Sequence, residues 1–156
     1  MQPIAHEAID IDRPIEEVFA FVSNMENFGR WFPGVLSIVS KDDAPHGAIG
    51  KVYLERVRLP FKGESLIPVE VVACEAGELF QTQGAFPPLM PQMTVRCSRT
   101  EGGGARVDWR MESRNDGLLF RMTLLPVIRG ALRKRAAIGV RALKELLEQK
   151  GARDAA

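Results

Sequence analysis

Apolar and polar residues alternate near the start of this chain, switch to helical spacing, alternate again through the middle and end on a long helical pattern. In "AIDID" Ile9 and Ile11 fall on one side and Ala8, Asp10 and Asp12 on the other, so Ile4 to Asp12 reads as a half-buried strand. Pro14 fixes a backbone angle suited to a first helical turn, and Glu16 and Glu17 favour the positive end of the helix dipole. Val18, Phe19, Phe21 and Val22 supply that helix with its apolar stripe. Asn24 can cap a second short helix through Trp31, ended by Pro33-Gly34.

From Val35 to Asn115 the punctuation changes. "DDAPHGAIG", "RLPFKG", "CEAGE", "GAFPPLMP" and "TEGGGA" break the chain at intervals typical of successive antiparallel strands, and about six are predicted. The clearest is "ARVDWRMESR", where Val107, Trp109 and Met111 face one way and Asp108, Arg110 and Glu112 the other. Then Leu125, Ile128, Leu132, Ala136, Gly139, Leu143 and Leu146 recur at steps of three and four, predicting a long amphipathic helix from about Leu125 to Gln149. Gly151 suits its stop, and residues 151–156 read as a flexible tail after a single domain over 1–150.

An antiparallel sheet with one wet face must cover the other, and only the last helix is long enough to do so. The expected fold is α+β: a curved antiparallel sheet of about seven strands wrapped on a C-terminal helix, in the order β-α-α-β6-α. This order resembles the START-like superfamily, and within it the polyketide cyclase/dehydrase type. "IDIDRPIEEVFAFVSNMENFGRWFPGV", "AIGKVYLERV" and "RALKELLEQ" carry the resemblance over nearly the whole chain. It implies a helix-grip fold with an interior cavity for a small apolar partner: a lipid, a quinone or an aromatic polyketide. Cyclase or aromatase chemistry is its second implication, since fold does not settle function.

Lys and Arg number 21 against 20 Asp and Glu, a balance that asks for no DNA partner. No basic head precedes an apolar run, and no segment reaches the roughly 18 apolar residues of a membrane span, so a cytoplasmic protein is expected. Cys74 and Cys97, in different strands and without a CxxC pair, read as reduced core thiols, and neither a metal nor another cofactor is expected. His6 and His46 read as surface residues, and "EGGGA" as a hairpin turn rather than a phosphate loop.

The strand "KVYLERVR" is more pointed. Neighbouring strand residues face opposite ways, so either Glu55 or Arg56 faces inward, as a ligand contact or at a wet cavity mouth with a partner such as Glu7. Trp31, Phe32, Phe61, Phe80, Phe86, Met93, Trp109 and Met111, with Ile67, Val69, Val95 and Leu132, are the apolar stock for a pocket. Ala136 and Gly139 either let backbones touch or leave a cavity beside the last helix. Arg129, Arg133, Lys134 and Arg135 form a solvated helix face or a surface for an anionic partner, a membrane or the ribosome.

Overall fold

The computed structural model describes residues 1–59 and 61–155, so the Pro60 of "RLPFKG" and the last residue of the expected tail lie outside the described residues. Strand β1 (Gln2–Ile11) leads into helix α1 (Ile15–Val22) and a 3-10 helix (Met25–Arg30). Six strands follow: β2 (Val35–Ser40), β3 (Val52–Arg58), β4 (Glu64–Glu75), β5 (Leu79–Gly84), β6 (Pro91–Arg99) and β7 (Ala105–Ser113). The chain ends in a short helix α2 (Leu118–Met122) and a 31-residue helix α3 (Leu124–Asp154).

All seven strands form one antiparallel sheet in the order β1-β7-β6-β5-β4-β3-β2. The expected strand phase holds, because Val107 and Trp109 are buried while Arg106 and Arg110 are exposed. Asn24 caps the 3-10 helix as its side chain allows, accepting a hydrogen bond from the Glu26 amide at 3.0 Å. The glycine-rich "EGGGA" is the β6–β7 turn.

Two features of α3 depart from the sequence pattern. The five-residue α2 precedes it, buries Phe120 and leaves Leu118, Leu119 and Met122 exposed. At its far end α3 continues to Asp154, so residues 151–154, expected as tail, are helical. Gly151 is not a stop. It lies against Arg13, whose guanidinium a Cβ there would strike, so its smallness serves close approach.

Helix α3 lies closest to β1, at the edge of the sheet opposite β2 and β3. A register shift between Pro3 and Ala5 disturbs the β1–β7 ladder there, and the side chains of Arg129 and Arg133 donate to the Pro3 and Ile4 carbonyl oxygens at 3.0 and 3.2 Å. Further along, Lys144 donates to the Asp10 carbonyl oxygen at 2.7 Å. Much of the basic face thus satisfies backbone of its own chain. Because the helix leans on one edge, the space over β3 to β6 must be filled by side chains or stay open.

Candidate functional site

That space is filled at one end and open at the other. Phe28, Trp31 and Phe32, presented by the 3-10 helix and the residues after it, form an aromatic wedge. Phe28 stacks on Phe32 with centroids 4.8 Å apart, Trp31 meets both edge-on, and Phe32 lies tilted 5.2 Å from the fully buried Trp109. Gly139 of α3 is packed against this wedge, where a Cβ would stand 3.1 Å from the Phe32 ring and 3.4 Å from Pro33. Of the two readings of the small residues on α3, close packing is the one realised at Gly139, and Ala136 is fully buried.

On the other side of Phe32 a cavity of about 340 Å³ opens. Leu124, Ile128, Leu132 and Arg135, at steps of four, four and three, bring one face of the N-terminal half of α3 to it. Glu55 and Val57 face it from β3, Ile67 and Val69 from β4, Thr82 and Gly84 from β5, Met93 from β6 and Met111 from β7. Met25 and Phe28 close it from the 3-10 helix, and Phe86, Pro88 and Leu89 form a wall between β5 and β6. That wall is held in place: Asn115 donates to the Pro88 carbonyl oxygen at 2.8 Å, Arg114 to that of Gly84 at 2.7 Å, and the Ser113 hydroxyl to that of Leu89.

The pocket stock therefore divides. Phe32, Glu55, Phe61, Ile67, Val69, Met93, Met111 and Leu132 line the cavity; Trp31, Arg56, Phe80, Val95, Trp109, Ala136 and Gly139 do not. Phe80 and Val95 are buried elsewhere in the core, and Arg56 points to solvent. The other wall residues carry weak sequence signals. Ile128 was readable from the helix period and Val57 from the strand period, but Pro88 and Leu89 sit in an irregular segment with no period to read.

Glu55 is the inward member of its pair. It is 8% exposed, and no hydrogen bond or ion pair reaches its carboxyl group from the described residues. Glu7, on β1, lies across the sheet from it. Burial among apolar walls pushes the Glu55 pKa from the ordinary 4.5 up to about 7. A carboxyl so placed is close to evenly divided between acid and carboxylate at neutral pH, able to donate a proton or accept one.

Other polar clusters lie outside this cavity. His6 pairs with Asp108 at 2.7 Å across β1 and β7, and His46 meets the Tyr53 hydroxyl at 2.6 Å. Buried Lys51 bonds Asp42 at 3.1 Å and holds the loop before β3. A wider groove of about 960 Å³ runs along α1 and the ends of β6 and β7; in it Glu16 pairs with Arg99 at 2.6 Å and Asp108 with Arg110 at 2.9 Å. Cys74 and Cys97 are free thiols, and burial pushes Cys97 up to about 11. No helix among the described residues is long and apolar enough to cross a membrane.

Residues 2–148 match the family described as polyketide cyclase / dehydrase and lipid transport. No curated protein matches the chain in sequence. Among solved structures, the di-domain ARO/CYC StfQ from the steffimycin biosynthetic pathway superposes with a TM-score of 0.72 at 13% identity, over 94% of this chain and 51% of that one. The chain thus spans about half the length of that protein. A Thermus thermophilus protein gives a TM-score of 0.70 at 15% identity over 90% and 94% of the two chains, and a Nitrosomonas europaea protein 0.69 at 14% over 94% and 95%. At these identities the likeness is one of fold, and the fold is the expected helix grip.

Proposed function

The chain belongs to the polyketide cyclase / dehydrase and lipid transport family, and from that premise we propose that it is a cytoplasmic binding protein for a small, mostly apolar molecule. The observation that carries this reading is a cavity of about 340 Å³ whose apolar walls enclose a buried carboxyl that no group among the described residues bonds. An unpartnered carboxyl in such a place is unfavourable, and a ligand hydroxyl or carbonyl would relieve it. The volume lies near the lower end of the roughly 300–1,000 Å³ of small-molecule sites, which favours a compact ring system or single chain over a two-chain lipid. Met25, Met93 and Met111 give the wall a pliable surface able to fit more than one shape. The free cysteines suit a reducing compartment.

A second reading, an enzyme of the cyclase or aromatase class, is favoured by the Glu55 value of about 7. The Glu55 carboxylate would take a proton from carbon next to a ligand carbonyl and, as the acid, return it to oxygen, steps worth about 10²–10⁴ in rate.

Mass spectrometry of small molecules retained through gentle purification tests the binding reading. Recovery of an apolar compound at close to one per chain, reduced in Glu55→Leu, is the expected result. A protein that retains nothing and takes up no apolar probe overturns it. A retained compound that the protein converts chemically, with conversion lost in Glu55→Gln, selects the enzyme.

A further inference from the structure

The charges around the cavity are unevenly distributed. Among the described residues Glu55 is its one acidic wall residue and is buried, whereas Arg58, Lys62 and Arg135 are its basic ones. Arg58 and Lys62 are exposed and so is Phe61, at 79%, which places them at the mouth. Arg58 stands three residues along β3 from Glu55, about 10 Å at 3.3 Å per residue. The cavity therefore runs from a buried acid to a cationic opening.

Arg135 is seated at this opening by its surroundings. Its Nη1 donates to the Arg58 carbonyl oxygen at 3.0 Å, and Gly34 leaves room for the guanidinium, since a Cβ there would stand 2.5 Å from Nη1. Among the described residues no carboxylate comes within ion-pair distance of Arg58, Lys62 or Arg135. Burial first, and then the charge of Arg58, lower the Arg135 pKa, as for a partly desolvated cation with a second cation in range. An oxyanion between the two would relieve both, and guanidinium forks suit carboxylate and phosphate oxygens.

We infer that the ligand is a single-chain or small-ring amphiphile whose apolar body occupies the cavity and whose one anionic group sits at the mouth on Arg58, Lys62 and Arg135. The inference rests on the binding reading above and adds the chemical class. It also fixes the direction of entry, apolar end first, because the inner walls are apolar and would strip an anion of water, whereas the basic residues stand at the mouth.

Calorimetric titration of the full chain with decanoate, decyl phosphate and decanol at pH 6 and low salt tests it. There Glu55 holds its proton and a ligand carboxylate is ionised. The expected result is that decanoate or decyl phosphate binds at least about 10-fold more tightly than decanol, as one charge-assisted contact allows. The better of the two identifies the anion as carboxylate or phosphate. In Arg58→Gln/Lys62→Gln, whose side chains are exposed and make no internal bond among the described residues, the ratio falls to near one, whereas in Lys134→Gln, outside the cavity, it persists. Decanol binding as tightly as either anion overturns this inference and leaves the binding reading standing. Failure of all three to bind overturns both.

Discussion

Past Gly139, residues Val140, Leu143 and Leu147 of α3 are buried, whereas toward its other end Leu124, Ile128 and Leu132 border open space. Phe32 divides the two regions, with Trp109 and Gly139 on one side and the cavity on the other. In the filled region the helix approaches on small residues and large aromatic rings occupy what remains. In the open region the helix presents medium aliphatic side chains across too wide a gap, and the sheet answers with methionines, a threonine, a glycine and a glutamate. A cavity here is thus made by where the helix stands, and its buried small residues, Ala136 and Gly139, mark contact.

The largest effect comes from removing the divider. Phe32→Ala should lower stability by about 3–5 kcal/mol and join the cavity to the space beside Trp109. Urea unfolding reads the first effect, and uptake of apolar probes too large for the wild type reads the second. A small loss with unchanged probe size would show that Phe32 does not separate the regions.

Glu55→Gln sharpens the contrast from the open side. The folded-state pKa of about 7 lies above the ordinary 4.5, so between these values the folded chain keeps a proton that the unfolded chain releases. This group's contribution is therefore fully present below about pH 4.5 and lost as pH rises through about 7, a fall of about 3 kcal/mol. Glu55→Gln removes that slope: it should match wild type near pH 4.5 and exceed it by about 3 kcal/mol above about pH 8. Parallel pH–stability curves for the two proteins would place Glu55 in water instead.

Gly139→Leu tests the filled side, and should destabilise by roughly 1–3 kcal/mol because Phe32 and Pro33 leave no room. A stable variant that merely lost ligand binding would return the cavity to mid-helix. The smallest effect is its control. Gly130, exposed on the same helix with nothing near its missing Cβ, should gain about 0.5–1 kcal/mol as Ala in a thermal melt.

Much of the fold was legible because it is written in local period and punctuation. The strand phase of Val107 and Trp109, the Asn24 cap and the six strands after the first helices all follow from residues close in sequence. The site was legible in part. Strand alternation demanded one inward charge from Glu55 and Arg56 but could not choose between them, since the choice depends on which face of β3 the distant α3 covers. The sequence left close packing and a cavity both open at Ala136 and Gly139, and the cavity stands beyond Phe32, because the lean of α3 toward β1 is set by contacts such as Arg129 to Pro3. Those contacts join residues more than a hundred positions apart, and no local pattern encodes them.

The central claim is that the cavity beyond Phe32 takes up an apolar molecule, and the methionine methyls report on it directly. Met25, Met93 and Met111 line the cavity, while Met1 and Met122 are exposed outside it. With ¹³C-methyl methionine, titration with a small apolar fluorescent probe should move the signals of Met25, Met93 and Met111 to saturation at one probe per chain and leave Met1 in place. Unmoved cavity methyls, or shifts confined to Met1 and Met122, would contradict the account.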